Sequence, residues 1–336
     1  MAVSPFTFAD GERLIRFGTG ALGECPALLA ERGFDGYALL TTARARTFAP
    51  ELVRGAARVV HVPGGGVPDG AAAVRGEVEG RPLVALGGGR VVDVAKAIAG
   101  AGGLDCAAVP TTLAGSPFTP FHRMPAGVEE RRLVRPSLVV ADPALMASLP
   151  RPRLVATALN ALAHAMESLY TPRANPVAEM AALRAGRLLA AELPQEEPGE
   201  GELALAALLG GYAVGTTGLA VHHAVCQTIV RACGTPHAET NAVMLPHSAR
   251  LVAARAPRQL GAFARALGDP EGDPAAAGGR IAFLTALTGV TRLSELGVAG
   301  EALDTVSAAA ADHPAVQNTP GDVSRAELDA LLASAL

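Results

Sequence analysis

Short apolar runs alternate with stretches of helical length through the first part of the chain. YALLTT (37–42), RVVHVP (58–63), PLVALGGG (82–89) and DCAAVPTT (105–112) are each compact enough for a buried strand. Strands spaced in this way by helical segments predict a parallel sheet with crossover helices. From about Asp142 the texture changes. RLVATALNALAHAMESLY and LALAALLGGYAVGTTGLA are Ala-rich and Leu-spaced, with no strand-like neighbours, so the second part is predicted to be helical. Pro143, Pro150 and Pro152 punctuate the join, which predicts an α/β domain over 1–145 and an all-helical domain over 146–336. GDPEGDPAAAGG (268–279) reads as a loop between helices, and no repeat of solenoid period is present.

The length of 336 residues fits two domains. A net charge of -4 offers no broad basic surface, which disfavours nucleic acid and favours a small-molecule substrate. Half of the chain is apolar, but no uninterrupted apolar run reaches the roughly 18 to 20 residues of a membrane span, so no membrane partner is expected. The first residues, MAVSPFTFADGERL, lack a basic segment followed by an apolar stretch, and a cytoplasmic location is the expectation. Cys25, Cys106, Cys226 and Cys233 form no CxxC pair and read as reduced core residues.

Within LVALGGGRVVDVAKAIA (83–99), a buried strand runs into Gly87, Gly88 and Gly89 and then a helix. Glycines there let a ligand approach the backbone, and the N–H groups opening the helix suit a pyrophosphate. A tight strand-to-helix turn explains the same residues. The pattern is GGGxxxD rather than GxGxxG, so an ordinary Rossmann fingerprint is absent. In NALAHAMES (160–168), Asn160 and His164 stand four apart on one helix face, as two metal ligands would, yet one of them is an amide.

Several stretches in a fixed order carry a resemblance. RFGTGAL, GGGRVVDVAKAIA, VPTTLAGSPFTP, ADPALMASLP, ALNALAHAMESLY and HHAVCQTIVRACGTPHAETNAVMLPH are similar to successive motifs of the iron-containing alcohol dehydrogenase superfamily, over almost the full chain. The Asn in NALAHA, the HH doublet, PHAET and NTPGDVSRAELDALL most resemble its maleylacetate reductase branch. The resemblance implies a dinucleotide-binding α/β domain, an all-helical catalytic domain and an active site in the cleft between them. That branch reduces a carbon–carbon double bond in a short dicarboxylic keto acid with NADH or NADPH, so the resemblance implies an NAD(P)H-dependent reductase of a small carboxylate-bearing enone, ketone or aldehyde. A homodimer is expected. Cofactor residues carried over are Thr42, Gly87, Gly88, Gly89, Asp93, Lys96, Thr111, Thr112 and Ser116, and catalytic candidates are His164, His223, Gln227 and His237.

The superfamily's metal positions fall on Asn160, His164, His223 and His237, the last two fourteen positions apart. The sequence departs from the family at three places: Asn160 replaces an Asp, Gln227 a nicotinamide-proximal His, and Pro117 a carboxylate. Three imidazoles and a neutral amide make a poorer divalent site than three imidazoles and a carboxylate. The expectation is therefore NAD or NADP without metal, with zinc or iron on Asn160, His164, His223 and His237 as the alternative. Freed of metal, His223 and His237 become candidates to polarise a substrate carbonyl. His222 is expected to support its helix. Thr42 replaces an Asp that holds the adenosine ribose in many relatives and, with Arg44 and Arg46 nearby, predicts acceptance of NADPH. Arg123, Arg131, Arg132 and Arg135 offer either a carboxylate clamp or a solvated charge run. Two other readings remain: a dehydroquinate-synthase-like lyase or cyclase that uses NAD transiently, and a nucleotide-binding protein that has lost hydride transfer.

Overall fold

The computed structural model describes residues 6–336, so the start of the N-terminal stretch read for a leader lies outside the described residues. The chain forms two compact units, Met1–Ser148 and Leu149–Leu336. In the first, strands β1 (Phe6–Asp10), β2 (Arg13–Phe17), β3 (Ala38–Thr41), β4 (Arg58–His61), β5 (Leu83–Gly87), β6 (Cys106–Pro110) and β7 (Leu138–Ala141) make one sheet in the order β1-β2-β7-β6-β5-β3-β4. Every pairing is parallel except the β1–β2 hairpin, whose turn uses Gly11 at φ 63°. Helices α1 (Ala21–Glu31), α2 (Pro50–Gly55), α3 (Val67–Val74), α4 (Gly89–Gly102) and α5 (Pro143–Met146) connect the strands.

The four strands read from apolar runs are β3 to β6. The hairpin and β7 extend the sheet beyond that reading. β2 hides because its sequence, RLIRF, alternates Arg with apolar residues, yet Arg13 is buried, its guanidinium donating to the carbonyls of Pro117 (2.6 Å) and Phe118 (3.4 Å). Buried charge is tolerated there because it is hydrogen-bonded.

The order β4-β3-β5-β6-β7 has a functional consequence. The chain moves outward from β3 to β4, then returns to the other side of β3 for β5, β6 and β7. Consecutive crossovers thus diverge between β3 and β5, opening a crevice at the carboxyl ends of those strands. Thr42 follows β3, and Gly88 follows β5. Both candidate cofactor segments lie at this switch point.

The second unit is helical: α6 (Arg151–Ser168), α7 (Pro176–Glu192), α8 (Glu200–Thr217), α9 (Val221–Cys233), α10 (His237–Ala253), α11 (Pro257–Ala266), α12 (Ala276–Ala286), α13 (Leu303–Ala311) and α14 (Arg325–Ala335). The stretch expected as loop over 268–279 is shorter, since 276–279 form the first turn of α12. Helix α6 is buried along most of its length from Leu154 to Ser168. The Ala and Gly content of these helices allows close packing: a Cβ on Gly210 of α8 would stand 2.6 Å from the Ala161 carbonyl oxygen of α6. No single described helix is long and apolar enough to cross a membrane.

Candidate functional site

In the α/β unit, β5 delivers its chain to Gly88, the N-cap of α4. The adjacent β6 is held in register, with Gly87 opposite Pro110 and the Thr111 N–H donating to the Gly87 carbonyl at 3.0 Å. The glycine turn therefore lies against the 111–116 loop. A Cβ on Gly87 would meet Val91 at 2.6 Å, one on Gly88 would meet Thr112 at 3.0 Å, and one on Gly89 would meet Ala114 at 3.1 Å. A side chain at Gly87 would collide and one at Gly88 or Gly89 would be tight, and the Gly89 and Arg90 N–H groups that open α4 remain available to an anion, the Val91 N–H donating to the Gly88 carbonyl at 3.0 Å. The cradle fits a dinucleotide pyrophosphate.

Asp93, Lys96 and Ser116 form the brace behind this cradle. The Lys96 ammonium is fully buried and donates to Asp93 Oδ1 (2.9 Å), the Ser116 carbonyl (3.0 Å), Ser116 Oγ (3.3 Å) and the Phe121 carbonyl (2.6 Å), while Ser116 Oγ donates in turn to Asp93. All of its polar capacity is turned inward, so Lys96 fixes α4 against the 116–121 loop. At the end of β3, Thr42 Oγ1 accepts from the Ala45 N–H at 3.2 Å. Arg44 is pinned to the Ser148 carbonyl at 2.7 Å with its guanidinium over the Phe48 ring, whereas Arg46 is exposed. Arg123, Arg131 and Arg132 are exposed, and Arg135 is half-buried.

The helical unit gathers the second set. Helix α6 presents Asn160, His164 and Glu167 at i, i+4 and i+7, one face over two turns. Helix α9 brings His222 and His223 in its first turn, and α10 begins at His237. Asn160, His164 and His223 are 6%, 8% and 2% exposed, whereas His237 is exposed. The His164 and His223 rings stack at 4.6 Å and 8°, and His222 meets His223 edge-on at 5.0 Å.

Glu167 is absent from the set expected above, although its spacing in NALAHAMES puts it on the face of Asn160 and His164. Its carboxyl is wholly buried and accepts from the His223 N–H at 3.2 Å, with the Ala220 and His222 N–H groups as further donors. Ala220 caps α9 without a side-chain bond, so Glu167 serves as the cap from another helix. Glu167 Oε2 also lies 2.7 Å from His223 Nδ1. Burial pushes the Glu167 carboxyl up, against those backbone N–H groups, and burial followed by the nearby His237 pushes His223 down to about 3. The pair is therefore net neutral, because an uncompensated buried charge is the costly state. Neutrality leaves one proton between Oε2 and Nδ1 and another on Nε2. His223 Nε2 then donates to Asn160 Oδ1 at 3.3 Å.

A second chain of bonds has a fixed direction. Asn241 Nδ2 donates to the His237 carbonyl at 2.7 Å, which orients the amide, so Asn241 Oδ1 accepts from His222 Nε2 at 3.1 Å. His222 Nδ1 accepts from Ser248 Oγ at 3.0 Å, and burial holds this imidazole down at about 3, neutral. Both ring nitrogens of His222 are used, and it ties α9 to α10. Asn241 Nδ2 also reaches His237 Nε2 at 3.4 Å. Gln227, one turn after His223, is half-buried with no hydrogen-bond partner among the described residues. His61, His122, His247 and His313 stand outside the cluster.

A divalent ion must lie in the ring plane of each imidazole that ligates it, about 2.0 to 2.1 Å from nitrogen. Two stacked, nearly parallel rings do not converge on such a point. Asn160 Oδ1 is engaged by His223, and among the described residues no three or more His, Cys, Asp or Glu are placed to hold a metal. This arrangement does not fit the metal implied by the superfamily motifs.

Comparison with known proteins agrees with the motifs. The model of the family described as "Iron-containing alcohol dehydrogenase" matches residues 16–150, and that of the Fe-containing alcohol dehydrogenase C-terminal region matches 154–336. Maleylacetate reductase 1 of Rhodococcus opacus is 36% identical over 265 residues, covering 75% of this chain and 72% of its own. The maleylacetate reductase of a Rhizobium species is 31% identical, with 93% of each chain covered. The crystal structure of maleylacetate reductase from Agrobacterium tumefaciens superposes with a TM-score of 0.83 at 30% identity, covering 99% of both chains. The α/β unit with a helical partner unit, the glycine cradle and these similarities together show that the chain is an NAD(P)-dependent oxidoreductase of the iron-containing alcohol dehydrogenase family, in its maleylacetate reductase branch.

Proposed function

We propose that this chain reduces the carbon–carbon double bond of a short keto diacid, with maleylacetate as the substrate, and that it does so without metal. The observation that carries this reading is the cluster of Asn160, His164, His223 and His237, which holds imidazoles and an amide where an alcohol dehydrogenase of this family would hold its ion. The maleylacetate reductases among its relatives support the substrate class. Gly87, Gly88, Gly89 and Thr112 form the cofactor cradle, and Asp93, Lys96, Thr111 and Ser116 hold its shape. A bound NAD(P)H supplies the hydride. The helical unit holds the conjugated carbonyl and excludes water from it. His237, exposed at the start of α10, exchanges protons with solvent and returns one to the reduced product. Gln227 hydrogen-bonds substrate but carries no proton. A cytoplasmic homodimer is the assembly we assign.

Mixing purified protein, chelator, NADPH and maleylacetate is the test. Stoichiometric NADPH oxidation at a rate unaffected by chelator is expected. Absence of oxidation with any keto acid overturns the reductase reading, and loss of activity in chelator with recovery on added zinc or iron overturns the metal-free one. The same assay addresses cofactor choice. Thr42 cannot repel a 2′-phosphate and Arg46 is exposed beside it, so kcat/KM for NADPH should at least equal that for NADH. A preference for NADH of about tenfold or more, roughly 1.4 kcal/mol, would contradict this placing of the ribose.

A further inference from the structure

Asn160 has two ends with different fates. Its Oδ1 is held by His223 Nε2, and His223 Nδ1 is held in turn by Glu167, which is anchored on the backbone of α9. Its Nδ2 has no protein partner among the described residues, and it is absent from the polar atoms sealed away from solvent. A buried side chain that commits its acceptor and leaves two N–H bonds open is a preorganised donor. It offers nothing to a cation and suits a developing negative oxygen.

We infer that Asn160 Nδ2 is the hydrogen-bond donor that polarises the substrate's carbonyl oxygen, and that Glu167 and His223 are positioning residues that fix which end of the amide faces the substrate. This rests on the reductase reading above. Addition of hydride to the carbon β to the ketone moves the electron pair of the double bond onto that oxygen, and the Asn160 N–H meets the charge there. The enolate then takes its proton at the neighbouring carbon from His237, which is refilled from solvent. His223, expected from sequence to polarise the carbonyl itself, spends both ring nitrogens on Glu167 and Asn160. The stacked rings of His164 and His223 form one wall beside the amide.

Two variants separate the donor from its surroundings. Asn160→Asp keeps the volume and the oxygen that faces His223 but removes the N–H bonds, and Asn160→Ala removes both. Assayed in chelator, each should lose about 10² to 10³ in kcat, as loss of one oxyanion donor does elsewhere, with KM for NADPH unchanged. A second readout is the infrared carbonyl stretch of an isotope-labelled saturated keto diacid bound with NADP. A downshift in the natural protein that vanishes in both variants is expected. Variants that keep kcat within about threefold, or a downshift that persists in them, overturn the donor. Absence of any bound-ketone band and of turnover in the natural protein overturns the underlying reductase reading, and the donor with it.

Discussion

Replacing Gly88 by valine is expected to weaken NADPH binding by at least about a hundredfold, about 2.7 kcal/mol. The backbone at Gly88 is extended, φ −77° and ψ −176°, so a side chain costs little in conformation there. The obstacle is space. A Cβ would already stand 3.0 Å from Thr112 Cγ2 and 3.3 Å from its Oγ1, and valine adds two further methyls at the turn to which we assign the pyrophosphate. Alanine adds only the Cβ, so Gly88→Ala should cost far less, with Thr112 shifting by a few tenths of an ångström. Titrating NADPH against the three proteins by calorimetry checks this. Valine and glycine proteins of equal affinity would move the phosphate site away from the junction of β5 and α4.

Such a prediction was available from sequence because glycine runs after an apolar strand report a backbone requirement, and backbone requirements are local. The same locality explains the reach of the strand reading. β3, β5 and β6 are buried along their whole length and read as apolar runs, whereas β1 and β2 pair across a tight hairpin and β2 carries Arg13, whose carbonyl acceptors at Pro117 and Phe118 lie more than a hundred residues away. The switch point at β3 and β5 follows from the order of strands, which no local pattern contains.

The cluster shows the same division. Asn160 and His164 were legible as one helix face, and His223 and His237 from their order in the resemblance. Glu167 sits on that same face one turn further, but a Glu late in a helix usually reads as solvated, and its buried partners come from the start of α9, a different helix. Likewise the support role of His222 was foreseen, but its partners Ser248 and Asn241 come from α10. Hydrogen-bond direction, which decides what Asn160 offers a substrate, depends on those distant partners.

Removing the Glu167 carboxyl is expected to be the most disruptive single change in the helical unit. Glu167→Ala leaves the Ala220, His222 and His223 N–H groups without their acceptor, and His223 Nδ1 without its partner, in a region closed to water. Each buried donor left unpaired costs about 1–3 kcal/mol, and the loss of one member of a buried pair about 3–5 kcal/mol, so a stability loss of roughly 3–5 kcal/mol is expected. Glu167→Gln retains the oxygen that accepts from the His223 N–H, sets its NH2 against His223 Nδ1 and gives up part of the acceptor capacity of a carboxyl, and should lose less, about 1–2 kcal/mol. Urea denaturation of the three proteins measures this directly. The kinetics carry a second consequence. In the alanine variant, folded at low temperature, His223 loses the partner that fixes its Nδ1 and Asn160 its fixed orientation, so kcat should fall while KM for NADPH stays constant. An alanine variant with natural kcat would leave Glu167 as a helix cap alone. An alanine variant as stable as the natural protein would mean that α9 takes its start from Ala220 without the carboxylate, against the buried geometry of the bonds.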